Sequence, residues 1–218
     1  AALVGKCYGV VLDGCVNHAS VEIAKTQSNT TSLTAYNGGI VGMMTPYTKG
    51  DNSVLYSEVY NSKNYGAVTL KCAISNNAYL GGVVGCSGDT NYDVKIISCE
   101  NHGAISADSG ASIAKNLSIG GVCGYMFGSK GNALTEYNLN DATIAIKGDA
   151  VINGELQLGG LVGNGKSVHI NNSVVEFSFD KRAFFDASAH VYSSFSAYLP
   201  FLLLTMNLLD LAFLERVL

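Results

Sequence analysis

Apolar and polar residues alternate along most of this chain. Val68, Leu70, Cys72 and Ile74 take turns with Thr69, Lys71 and Ala73. Ile144 with Ile146, and Leu156 with Leu158, keep the same spacing. A period of two belongs to a strand with one face buried. No stretch before residue 180 carries a helical stripe, and Pro46 is the one proline in that region. Backbone ladders can therefore run with little interruption.

The strands are punctuated by a recurring phrase. Gly38-Gly39-Ile40-Val41-Gly42 returns as Gly81-Gly82-Val83-Val84-Gly85, Gly120-Gly121-Val122-Cys123-Gly124 and Gly159-Gly160-Leu161-Val162-Gly163. The copies start 43, 39 and 39 residues apart, and Ala1-Ala2-Leu3-Val4-Gly5 matches the end of a fifth. A fixed period near forty signals stacked units. A second phrase, Asn-x-[Gly/Ala]-x-[Val/Ile], lies between the first: it begins at Asn17, Asn64, Asn101 and Asn140. Cys15 and Cys99 stand two places before the asparagine in two copies. From Gly85 to Asn101 is 16 residues and from Asn101 to Gly120 is 19, and the next repeat gives the same pair of spacings.

The forty-residue unit thus divides into halves of roughly twenty, the length of one coil of short strands and tight turns. The expected fold is mainly β: a parallel β-helix, or β-solenoid, of ~20-residue coils in ~40-residue repeats. Gly-Gly suits a bend with positive φ or a close backbone approach. The apolar pair after it fills the interior. An asparagine at each corner can bond its own turn and the asparagine of the next coil.

Alternation of Gly-Gly-[Ile/Val/Leu]-[Val/Cys]-Gly with Cys-x-Asn-x-Gly-x-Ile resembles the GLUG-type repeats of secreted and cell-surface proteins, and microbial adhesin-like surface proteins with β-helical repeats. The resemblance covers residues 1–165. It implies an extracellular or surface-displayed β-solenoid, usually a stalk or adhesion module, in which these glycines and asparagines are structural. Ser62 and Asn138 depart from it at the cysteine, Ala19 and Ala142 at the glycine.

Composition narrows the functions. Only 14% of residues are charged, against about 25% in typical chains. A net charge of −4, with Arg182 and Arg216 the only arginines, leaves no basic stripe for nucleic acid. Six cysteines without a Cys-x-x-Cys pair argue against zinc. They fit either disulfides of a secreted protein or buried thiols, with Cys123 the best candidate for the latter because it fills an apolar slot of its phrase. Asn29, Asn116 and Asn171 open Asn-x-Ser/Thr sequons and are candidate glycosylation sites. Ala1 fits a mature N-terminus left by signal cleavage.

A break follows near residues 165–180. All 25 glycines lie at or before Gly165, and seven of the eight phenylalanines at or after Phe177. Val175, Phe177 and Phe179 read as a last strand, so residues 1–176 form the solenoid and 177–218 an aromatic and aliphatic C-terminal segment. Its stretch 198–216 reads as a hydrophobic α-helix with Pro200 in the first turn. Three roles compete. It caps the solenoid or docks on a neighbouring subunit through Leu202, Leu203, Met206, Leu209 and Phe213. It contacts or spans a membrane, against which Asn207 and Asp210 count. Or it is the hydrophobic tail of a lipid-anchor signal.

Motifs that imitate chemistry do not survive their context. Gly160 to Ser167 matches a P-loop, yet its first half is the fourth glycine phrase and no helix start follows. Asp89 to Glu100 matches a calcium loop except that Val94 stands where glycine is needed. Stacking could gather Asp13, Asp51 and Asp93 as in polysaccharide-active β-helix enzymes, but the solenoid has no arginine. His18, Tyr65, His102 and Asp141 share one repeat position, which reads as an outward slot. The expectation is a non-enzymatic structural protein without cofactor or metal, self-assembling into a fibre or surface layer. The alternative is an adhesin or carbohydrate-binding module using Tyr36, Tyr47, Tyr56, Tyr60 and Tyr65.

Overall fold

The computed structural model describes residues 1–24, 33–88, 94–128 and 133–176. They form a parallel β-solenoid of about four turns. Each coil lays down up to six short strands, and each strand stacks on its counterpart in the next coil. Sheet I holds Val4–Tyr8, Val41–Thr45, Val84–Gly88, Cys123–Phe127 and Val162–Lys166. Sheet II holds Val11–Asp13, Glu58–Tyr60, Lys95–Ile97, Ala133–Glu136 and Val168–Asn171. Sheet III holds Val16–Asn17, Lys63–Asn64, Glu100–Asn101, Leu139–Asn140 and Val174–Val175. Sheet IV holds Val21–Ile23, Val68–Leu70, Ile105–Ala107 and Ile144–Ile146. Sheet V holds Ala73–Ile74, Ser112–Ile113 and Val151–Ile152. Sheet VI holds Ala35–Gly38, Ala78–Gly81, Leu117–Gly120 and Leu156–Gly159. An antiparallel hairpin of Tyr47–Thr48 with Val54–Leu55 is inserted between sheets I and II of the second coil.

The coil is twice the length that the half-repeats suggest. Val4 pairs with Val41, Val41 with Val84, Val84 with Cys123 and Cys123 with Val162. One coil is therefore a whole repeat of about forty residues, and the coils run over 4–40, 41–83, 84–122 and 123–161, with 162–176 opening a fifth. The reason lies in what stacks on what. Gly38, Gly81, Gly120 and Gly159 form one column, and Asn17, Asn64, Asn101 and Asn140 another. Glycine phrase never sits on asparagine phrase, because each phrase bonds only its own kind.

The half-repeats are nonetheless physical units, as lobes of one coil. One apolar core gathers Val68, Leu70, Ile74, Leu80 and their counterparts from sheets IV, V and VI. The other gathers Ile40, Val41, Met44, Val59, Ile96 and Cys99 with theirs on the side of sheets I and II. Between them the coil is pinched at a waist. Gly-Gly comes in from one side and asparagine from the other: a Cβ on Gly39, Gly82 or Gly121 would collide with the carboxamide of Asn64, Asn101 or Asn140. The first glycine of each phrase faces the carbonyl three residues on, from Val41, Val84, Cys123 or Val162. The last, at Gly42, Gly85, Gly124 and Gly163, rests on the backbone of sheet VI. Close approach, not backbone sign, requires these glycines. None of the twelve has a positive φ; that conformation falls instead at Gly9, Gly14, Gly88, Gly110 and Gly148.

The asparagine column is fully bonded. Asn17 Nδ2 donates to Asn64 Oδ1, Asn64 Nδ2 to Asn101 Oδ1 and Asn101 Nδ2 to Asn140 Oδ1, each at 2.8 Å. Each Nδ2 also donates to the carbonyl two residues on, at Ala19, Gly66, Gly103 or Ala142. A second polar column stands two places earlier, where Cys15 and Cys99 alternate with Ser62 and Asn138. Ser62 Oγ accepts from the Cys15 amide at 3.2 Å, and Asn138 Oδ1 from the Cys99 amide at 2.7 Å. Buried amides and hydroxyls are thus paired along the axis, as a low-dielectric interior demands.

The six cysteines are free thiols, five of them buried, which corrects the disulfide alternative. Burial pushes the Cys99 and Cys123 thiols up to about 12. The stretch 198–216, with Leu202, Leu203, Met206, Leu209 and Phe213, lies outside the described residues. Among the described residues no helix is long and apolar enough to cross a membrane.

Candidate functional site

Alternation decides which side chains face out. With Asn17, Asn64, Asn101 and Asn140 turned inward, the next residue of each coil points to solvent. Coil spacing in a parallel sheet is about 4.8 Å, close to the separation of stacked rings. His18 and Tyr65 accordingly stack at 4.9 Å with 9° between planes, and Tyr65 and His102 at 4.8 Å with 15°. Asp141 ends the column. Its carboxylate lies 2.8 Å from His102 Nδ1, and Glu100 Oε2 lies 3.0 Å from His102 Nε2. Lys63 Nζ reaches Glu100 Oε1 at 2.9 Å.

The charges of this ladder tune one another. Burial alone would pull the His102 imidazole down, but hydrogen bonds to Glu100 and Asp141, and their charges, outweigh it and raise it above its ordinary value. Hydrogen bonds from Lys63 and His102 hold the Glu100 carboxyl below the usual carboxylate range. On sheet II, Glu58 pairs with Lys95 at 3.0 Å and accepts the Tyr60 hydroxyl at 2.7 Å. Burial, then Glu58, pushes Tyr60 up to about 12. On sheet IV, Lys71 pairs with Glu22 at 2.8 Å. Each of these three lysine pairs joins neighbouring coils.

A second aromatic seam runs along the re-entrant bend where sheets VI and I meet. Tyr36 stacks on Tyr79 at 5.8 Å, and Tyr79 meets Tyr125 at 5.1 Å. Asn77 Nδ2 donates to the Tyr79 hydroxyl at 3.1 Å. Farther along, Ser118 Oγ donates to Gln157 Oε1 at 2.6 Å and Asn164 Nδ2 to the same oxygen at 2.8 Å. Cys86, 7% exposed, lies in this seam; burial first, and the neighbouring Cys86 after it, raises the Tyr79 and Tyr125 hydroxyls above their ordinary value.

Other residues singled out from the sequence are scattered. Tyr47 and Tyr56 are exposed at the inserted hairpin, Tyr60 is on sheet II, Tyr65 in the histidine column and Tyr36 in the seam. The five tyrosines do not form one face. Asp13 accepts from Asn61 Nδ2 at 2.8 Å, whereas Asp51 accepts from Ser53 within its own turn. Asn29 and the start of the calcium-like loop, 89–93 with Asp93, lie outside the described residues. The P-loop-like stretch continues as strand through Val162–Lys166 and Val168–Asn171. Asn116 Oδ1 accepts from the Glu155 amide at 3.1 Å and its sequon serine, Ser118, is buried, whereas Asn171 is exposed.

Four contributors escape a reading of the two phrases: Lys63, Glu100, Tyr79 and Tyr125. Their signal is positional. Lys63 and Glu100 immediately precede the phrase asparagine, Tyr36 and Tyr79 stand two before the first glycine, and Tyr125 follows the last. Aligning whole repeats, not phrases alone, exposes them.

No protein-family profile, no curated protein and no solved structure matches this chain.

Proposed function

We propose that the chain is a non-enzymatic extracellular structural protein, a β-solenoid subunit that self-assembles into a fibre or surface layer. The observation that carries this reading is that each coil stacks like on like, strand on matching strand, with Asn17, Asn64, Asn101 and Asn140 in one bonded column. A coil of this kind extends by adding further coils of the same pattern. The aliphatic segment 198–216 of a neighbouring copy, through Leu202, Leu203, Met206, Leu209 and Phe213, offers apolar area for a subunit contact, and a head-to-tail contact propagates into filaments when it does not close. The resemblance to GLUG-type surface repeats supports an extracellular or cell-surface location.

Light scattering and negative-stain microscopy on the full chain beside a chain ending at Asp180 test this reading. Assemblies that disappear on truncation are expected. A full-length chain that stays monomeric would overturn it.

A second reading, a surface adhesin or carbohydrate-binding module, is favoured by Tyr47 and Tyr56, 49% and 51% exposed at a hairpin that interrupts the repeat. Exposed tyrosines suit sugar stacking. A glycan array decides it: binding by the monomer that is lost in Tyr47→Ala and Tyr56→Ala supports this reading over assembly.

A further inference from the structure

His102 is held at both ring nitrogens by carboxylates. Nδ1 faces Asp141 of the fourth coil at 2.8 Å, and Nε2 faces Glu100 of its own coil at 3.0 Å. Glu100 is tied in turn to Lys63 of the second coil at 2.9 Å. Tyr65, also of the second coil, stacks on the imidazole, and His18 of the first coil stacks on Tyr65. These are the titratable groups that face His102 from the elements packed around it.

A neutral imidazole has one N–H. It can donate to Asp141 or to Glu100, and its other nitrogen then turns a lone pair toward a carboxylate oxygen. The imidazolium donates to both. It also places a positive charge between two negative ones that otherwise face each other across a neutral ring.

We infer that His102 is a proton-operated clamp that fastens the fourth coil to the third and, through Glu100 and Lys63, to the second. The backbone geometry beside it fits a clamp at this point. The Asp141 amide donates to the Asn101 carbonyl at 3.2 Å, a longer contact than the 2.8 Å between the His102 amide and the Asn64 carbonyl one coil earlier. The clamp thus joins coils where the backbone ladder is looser.

The raised His102 pKa fixes the direction of the effect. Its stabilisation is complete below the unfolded value near 6.5 and fades as pH rises through the raised folded value. Glu100 sets the acid limit. Its depressed folded pKa gives stabilisation that is present above the unfolded value and lost as pH falls through the folded one. The clamp is closed in mildly acidic solution and opens toward alkaline pH. It does not depend on whether copies assemble.

The test pairs proton titration with stability. NMR titration of the His102 ring in the full chain should give a midpoint above 6.5; a midpoint at or below that value overturns the clamp. Chemical unfolding of wild type and His102→Gln between pH 5 and 8 should show the wild-type advantage shrinking several-fold as pH rises, by about tenfold in the unfolding constant for each pH unit by which the His102 midpoint is displaced. Parallel pH profiles for the two proteins would overturn it. Should His102→Gln fail to fold, Asp141→Asn decides by the same titration: its His102 midpoint falls toward 6.5 if Asp141 is a jaw of the clamp and stays unchanged if it is not.

Discussion

Gly82, at the end of the second coil, meets Asn101 of the third across the waist: a Cβ on the glycine would occupy the space of the asparagine carboxamide and of the Gly121 carbonyl oxygen. Neither neighbour can give way. Asn101 is tied to two other asparagines at 2.8 Å, and the carbonyl belongs to the backbone of the next coil. Gly82→Ala should therefore cost more than about 4 kcal/mol, the range of severe core disruption, or abolish folding. Gly50 faces open space, and Gly50→Ala should change stability by no more than about 0.5 kcal/mol. Chemical denaturation of the two variants checks the contrast. Equal tolerance would mean that the waist is not closed by this pair.

The asparagine column should behave as a chain with no spare link. Asn101→Leu removes the acceptor of Asn64 Nδ2 and the donor to Asn140 Oδ1. It also strips the Gly103 amide of its side-chain acceptor at 3.3 Å. Each buried group left unpaired costs about 1–3 kcal/mol, so a loss of about 2–5 kcal/mol is expected. Unfolding midpoints measure it, and a neutral Asn101→Leu would remove the column from the list of stabilising features.

Thiol labelling should follow burial. Cys15 is half-buried, whereas Cys99 and Cys123 are 0% exposed with thiols pushed up to about 12 by burial. A thiolate is the reactive form. Mass spectrometry of the native chain after brief alkylation at pH 8 should find Cys15 modified and Cys99 and Cys123 untouched, and all six modified in denaturant. A disulfide found by non-reducing peptide mapping would contradict the free thiols.

The tyrosine seam should stabilise the bend between sheets VI and I. Tyr79 touches a ring on each side, at 5.8 and 5.1 Å. Tyr79→Ala should cost about 1–3 kcal/mol, below the range for a fully buried aromatic because the ring is only partly enclosed. Tyr47→Ala, at an exposed hairpin position, should be near neutral. If Tyr79→Ala is also neutral in denaturation, the seam is not structural and the rings are free to serve a ligand.

Much of this architecture is legible in the chain because like stacks on like. A repeat that must pair with itself shows its period, and the period-two alternation shows which side chains enter the core. Val68, Leu70, Cys72 and Ile74 are all buried, as their spacing from Thr69, Lys71 and Ala73 requires. The shared slot of His18, Tyr65, His102 and Asp141 is legible too, as an outward column.

The sequence alone determined the β-solenoid class, the inward asparagines and the columns of glycine. Only the tertiary structure decided that two half-repeats make one coil with two lobes. Spacing records where a phrase recurs, but not whether the chain closes after twenty residues or after forty. That depends on which partner saturates the asparagine carboxamide, and it is another asparagine one coil away, with the Gly-Gly that ends the preceding coil packed against it. The same limit applies to His102. Its repeat position marks it as exposed, yet the two carboxylates at its ring nitrogens come from residues 2 and 39 positions away in the chain, brought together only when coil lies on coil.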